Sequence, residues 1–349
     1  MNIDVTATVI ALLTFFGISA IIALSLNLEY GLTGIPNFGK AMFVSIGAYT
    51  AGVTYTHLLP LLAGQQFLDP CGENLTQALQ LRIDALHNTP GIGFVNLGLT
   101  LVISAIIGGI VGYLVSYTAL RVKEEWYLGL VLLVGSEVIR TIVRGYDPII
   151  CGINGLSGIS QPFSFIDNAT LSSICFAIFV TVFALAAYFY CERLVRSPFG
   201  RVLKAIREND TVALSLGKHV PRLRAQVMFI GSALAAIAGV LFAVNLGFVS
   251  TNDYAVDFTL DIWVMVVLGG VGNQRGALLG AFVVTVLDRV TAILSIWGNA
   301  TGSKFEFNYV RYILFALILL WVLRYRRQGL LPEQSQTTVA HDELGLAHE

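Results

Sequence analysis

Eight stretches of this chain, near residues 7–28, 41–63, 96–119, 126–143, 171–191, 225–248, 277–297 and 309–323, are apolar runs. Each approaches the roughly 20 residues that a helix needs to cross a lipid bilayer. A ninth run, 258–272, is shorter at 15 residues and contains Asp261. Hydrocarbon offers no water to unpaired backbone N–H and C=O groups, so runs of this length commit the backbone to helices. Charged residues make up 12% of the chain, against roughly a quarter in soluble domains, and the mean hydropathy is +0.75. A water-soluble core is excluded. The expected fold is an all-α polytopic membrane protein with about nine transmembrane helices, eight to ten being compatible with the runs.

Charge sets the expected orientation. Segment 192–224 holds eight Lys/Arg against three Asp/Glu, and the last run ends in Arg324, Tyr325, Arg326 and Arg327. Segments 64–95, 145–170 and 249–257 together carry a single basic residue, Arg82, against seven acidic ones. Basic loops stay on the cytoplasmic side, so both basic stretches read as inside. Ends on the same side require an even number of crossings between them, which holds when 258–272 spans. The expectation is an outside N-terminus, a cytoplasmic C-terminus, a membrane domain over 1–327 that includes the 192–224 loop, and a polar cytoplasmic tail over 328–349. Asp4 stands where a signal peptide needs positive charge, so the first run is retained as a span. The net charge of −1 gives no basic excess for binding nucleic acid.

Within 192–224, the island SPFGRVLKAIRENDTVALSLG at 197–217 carries its own helix signals. Ser197 suits an N-cap and Pro198 the first helical position. Val202, Leu203 and Ile206 then share one face, with Arg201, Lys204 and Arg207 around the rest. Asp210 is expected to cap a second short helix and Gly217 to close it in a left-handed conformation. Ordinary connections need only a few residues. This one is long enough to dock a cytosolic partner, which points to a transporter driven by a separate motor subunit. The bland alternative is an amphipathic helix lying on anionic membrane lipid.

Other polar residues are sparse. Glu137 and Arg140 sit i,i+3 inside a span and can pair on one face, which offsets the cost of charge in lipid. They read either as a structural latch or as a polar element beside a pathway. Asp261 lies near Asp253 and Asp257, at an entrance or in interfacial solvent. Asp288 and Arg289 are adjacent and need separate partners. Asn154 suits a turn. Cys71 and Cys151 both fall in outer segments where a disulfide is permitted. No metal-ligand spacing appears, the five histidines are scattered, and no phosphate-binding G-x-x-x-x-G-K-[ST] loop is present. The chain is therefore expected to bind no metal or cofactor and to hydrolyse no ATP. The glycine clusters (31–47, 108–112 and 269–272) read first as close helix packing, second as unwound backbone along a pathway.

Four blocks carry a family resemblance: SLNLEYGLTGIPNFGKAMFVSIGAYTAG at 25–52, EWYLGLVLLVGSEVIRTIV at 125–143 with GINGLSGI at 152–159, the 197–217 island, and WVMVVLGGVGNQRGALLGA at 263–281. With the closing RYRRQGLLPE at 324–333, they resemble the LivM-type permease subunit of branched-chain amino acid ABC transporters. The resemblance implies a second permease subunit, two ATP-binding cassette subunits that use the ATP, and an extracytoplasmic substrate-binding protein. It also places ATPase contact on the island, with Val202, Leu203 and Ile206 seated in a groove and Arg201, Arg207, Glu208 and Asp210 as the rim. The insert at 64–95, Cys151 and the tail after Glu333 depart from the family pattern. Rival readings are an ion-coupled secondary transporter using Glu137 and Asp261, a membrane scaffold, or an ABC permease for urea, amides or sugars.

Overall fold

The computed structural model describes residues 4–72, 75–119, 125–300, 310–326 and 328–333. Expectations for the tail beyond Glu333 lie outside the described residues. Helix α1 (Val5–Thr33) begins where the Asp4 carboxylate accepts from the Thr6 and Ala7 N–H groups, and ends at Gly34 in the left-handed conformation. Helix α2 (Lys40–Val53) passes through a π-helical turn, Thr54–Leu58, into α3 (Leu59–Leu62). The wide turn sits just before Pro60, whose missing N–H interrupts the regular ladder.

After these come α4 (Leu75–Asn88), α5 (Pro90–Ala119), α6 (Glu125–Arg144), α7 (Asp147–Ile150) and α8 (Ala169–Arg196). The connector helices α9 (Pro198–Glu208) and α10 (Asp210–Ser215) lead to α11 (Val220–Leu246), α12 (Val256–Gly269), α13 (Gln274–Ala300) and α14 (Val310–Tyr325). Each of the nine apolar runs falls mainly on helix among the described residues. Among the described residues, α1, α5, α8, α11 and α13 each contain a stretch long and apolar enough to cross a membrane. Helix α4 is new: the 64–95 insert reads as an outer loop but folds a polar helix. Two short strands, β1 (Leu156–Ser157) and β2 (Phe248–Val249), pair antiparallel.

Helix α11 is the hub, packed on α1, α2 and α5. Its Gly239 faces the Val44 carbonyl and Gly47 of α2 faces the Ala236 carbonyl so closely that a Cβ on either would overlap the facing backbone. Gly269 and Gly280 bring α12 and α13 together in the same way. Apolar side chains gain little from leaving lipid, so association rests on such van der Waals approach. These glycines are packing surfaces.

Helix α12 has 14 residues, about 21 Å at 1.5 Å per residue, short of the roughly 30 Å hydrocarbon core. The 258–272 run was expected to continue to Gly272. Instead the helix stops at Gly269, and Gly270 turns the chain at φ 120°.

Between α1 and α2 lies a charge pair that the sequence reading missed. The Lys40 ammonium donates to Glu29 Oε1 at 2.9 Å, with both side chains fully buried. Asn37 Nδ2 donates to Glu29 Oε2 at 2.8 Å, and the Gly231 carbonyl lies 3.4 Å from Lys40 Nζ. A side chain at Gly231 would collide with the Glu29 carboxylate. The 34–39 turn is locked inward: Trp263 Nε1 donates to the Asn37 carbonyl at 3.2 Å, and its ring stacks on Phe38 with centroids 4.5 Å apart.

Candidate functional site

The connector between α8 and α11 is built from local signals. Ser197 Oγ accepts from the Gly200 N–H at 3.2 Å and starts α9. Helix α10 is capped by Asn209, whose Oδ1 accepts from the Val212 N–H at 3.1 Å. Asp210, the expected cap, instead sits in the first turn, where its charge suits the helix N-terminus, 3.9 Å from Arg224. Gly217 closes the element at φ 73°, as expected. The Lys218 N–H donates to the Ala213 carbonyl and the Gly217 N–H to that of Leu214.

The apolar face of α9 does not point outward. Leu203 is 0% and Ile206 1% exposed, with Ile206 packed against Ala213, Val220 and the partly buried Val202 and Leu223. Seating these three residues in a partner's groove is therefore corrected: amphipathic spacing defines a face, and here the chain's own helices cover it. The free apolar surface is on α10 and its exit, where Val212, Leu214 and Leu216 are 52%, 51% and 73% exposed. Arg201, Glu208 and Asp210 are exposed beside them.

Arg207 also turns inward. It donates to the Gly31 carbonyl at the end of α1 and pairs with Glu333 at 2.8 Å, while Lys204 pairs with the other oxygen of Glu333 at 2.7 Å. The segment 328–333 is thus a docked strap, and the tail boundary drawn at 328 falls inside the packed structure. The Leu330 and Leu331 N–H groups donate to the carbonyls of Leu268 and Gly269. These are orphan acceptors at the C-terminus of α12.

Glu137 and Arg140 pair at 2.9 Å, partly exposed on α6. Asn154 is exposed in a turn, its N–H donating to the Cys151 carbonyl at 3.2 Å. Cys71 and Cys151 are joined as a disulfide, Cα atoms 5.0 Å apart, tying the α3–α4 connection to the end of α7. Arg82 is folded under the insert at 2% exposure, its Nε donating to the Ala78 carbonyl at 3.0 Å.

Asp253, Asp257, Asp261 and Asp288 line one cavity of about 410 Å³, walled by apolar residues of α1, α12, α13 and α14 including Ile18, Ile22, Ile262 and Phe315. The sequence reading grouped the first three and left Asp288 apart. Partial burial raises the Asp253 carboxyl above its ordinary pKa, against an opposing backbone hydrogen bond from Ser250. Arg289, adjacent to Asp288, stacks 3.6 Å over the ring of Phe15, itself a wall residue of this cavity.

Comparison with known proteins decides the family. The family described as "Branched-chain amino acid transport system / permease component" matches residues 8–323. This chain belongs to that permease family. It is similar to the probable branched-chain amino acid transport permease protein LivM of Methanocaldococcus jannaschii, 35% identical over 96% of this chain and 95% of that protein. It is 26% identical to the high-affinity LivM permease of Salmonella typhimurium, over 89% of this chain and 67% of that one. The M. jannaschii LivH permease is 24% identical over 86% of this chain and 85% of its own length. No solved structure matches the chain. The permease is a multi-pass membrane protein whose connector joins two long spans, α8 and α11.

Sequence reasoning missed two sets of this permease's residues. Glu29 and Lys40 stand just outside two apolar runs and were given no role; their opposite signs on either side of one turn were the available signal. The strap's Glu333 carried none, because its partners lie 126 and 129 residues away in the chain.

Proposed function

We infer that this permease is one of two membrane subunits of an ATP-driven importer for branched-chain or related amino acids. Its connector receives the stroke of separate cytosolic ATPase subunits, and an extracytoplasmic binding protein delivers the cargo. In this reading the N-terminus lies outside and the C-terminus in the cytoplasm. The observation that carries it is the apolar surface of Val212, Leu214 and Leu216, left open beside exposed charge on the connector. An apolar centre with a polar rim is the anatomy of a docking surface. The acidic cavity supports the cargo class: carboxylates attract an ammonium group, and the apolar wall accepts an aliphatic side chain.

The test is purification of the permease with its neighbours from native membranes, comparing wild type with a Val212→Asp/Leu216→Asp double variant. The expected result is an ATPase that accompanies the wild type and is lost from the variant, with protein level unchanged. Uptake of radiolabelled leucine by the wild-type complex in proteoliposomes should require ATP. Transport by the permease alone, driven by an ion gradient, would overturn the reading in favour of carboxylate-coupled secondary transport.

A further inference from the structure

Four separate parts of the chain meet around one carboxylate. Glu333 accepts from Lys204 at 2.7 Å and Arg207 at 2.8 Å, and all three side chains are a quarter exposed or less. Arg207 also donates to the Gly31 carbonyl of α1. The strap that carries Glu333 is bonded through Leu330 and Leu331 to the last carbonyls of α12. Asn273, in the turn before α13, donates to the Pro332 carbonyl at 3.0 Å. Asn27 of α1 in turn accepts from the Gly272 N–H at 2.8 Å. A Cβ on Gly272 would meet the Glu333 carboxylate and the Arg207 guanidinium, and one on Gly31 would meet Gly272 itself. The junction has no slack.

We propose that Glu333 is a positioning residue for transport, a clamp that makes α9, the strap, the end of α1 and the α12–α13 turn move as one body. The proposal rests on the importer reading above. Force delivered to α10 reaches α8 and α11 directly through the chain. It reaches α1, α12 and α13, the helices that wall the acidic cavity, only through contacts, and the ion pairs of Glu333 are charge-assisted contacts of that kind. The backbone hydrogen bonds of Leu330 and Leu331 cap α12 whatever residue 333 is. A neutral isostere at 333 therefore leaves the cap in place and removes the clamp alone.

The experiment uses the whole complex in proteoliposomes, with radiolabelled leucine as cargo, and counts leucine transported per ATP hydrolysed. Glu333→Gln should keep the ATPase bound and hydrolysing while leucine per ATP falls about fivefold or more, the scale of coupling between sites. Glu333→Asp, which keeps the charge, should recover most of the ratio. A purely structural role would lower assembly and both rates together. Spin labels at the exposed positions Ala205 and Gln328, with Cys175 and Cys191 replaced by Ser, give a second measurement on the otherwise wild-type clamp. Their distance should be the same without nucleotide and after trapping with ATP and vanadate. A normal ratio in Glu333→Gln, or a wild-type label distance that changes on trapping, would overturn the clamp. A wild-type complex that transports without ATP would overturn the importer reading instead.

Discussion

At one end of the bundle, the Cys71–Cys151 disulfide and the pairing of β1 with β2 hold the connecting segments, beside a cavity lined with aspartates. At the other, basic end, no covalent link appears among the described residues. The connector helices are held by a small apolar cluster and by the ion pairs of Glu333, with exposed apolar residues facing away. Chain entropy makes a cross-link stabilising whether or not it carries force. Non-covalent contacts leave the basic end free to move as a body, while the charge-assisted pairs of Glu333 hold its parts together. The acidic end is built to keep its shape, and the basic end to take a partner and shift.

The sharpest way to break this comparison is Leu203→Asp. It buries an unpaired carboxylate where the side chain is 0% exposed, and should lower unfolding stability by about 4 kcal/mol, among the largest single-residue effects. A soluble-surface role for Leu203 would show instead as a thermal midpoint equal to wild type. Replacing both Cys71 and Cys151 with Ser comes next, at about 2–4 kcal/mol. Mass measurement after alkylation under non-reducing conditions should count two free thiols in the wild type.

Leu216→Asp sharpens the contrast from the other side. The side chain is 73% exposed, so melting should be unchanged while ATPase binding weakens about tenfold, the scale of an interface anchor.

The smallest effect belongs to Asp253. Its pKa is raised on folding, so its stabilising contribution is present below the ordinary carboxylate value, about 4, and is lost as pH rises through the raised value. The residue is only partly covered, which shrinks the slope. Asp253→Asn should remove that slope, read as a wild-type melting midpoint that falls relative to the variant between acid and neutral pH.

Most of what depended on a few neighbouring residues was readable from the chain itself, the Asn209 cap and helix α4 excepted. Nine apolar runs commit to helix because lipid leaves backbone groups no other partner. Ser197, Pro198 and Gly217 mark the ends of the connector helices because capping bonds span only two to five residues. Glu137 and Arg140 pair because one helical turn brings them together.

Tertiary structure decided which surface each pattern meets. The α9 stripe was legible, but its covering by Ala213 and Val220 depends on how α10 and α11 fold back over it. Glu29 and Lys40 became a buried pair because the 34–39 turn folds into the bundle and Gly231 leaves room for the carboxylate. Glu333 became a junction because the strap returns across more than a hundred residues to the connector. Helix formation is local and periodic, so a sequence displays it. Contacts between distant segments depend on shape and on close backbone approach, and only the folded chain supplies those.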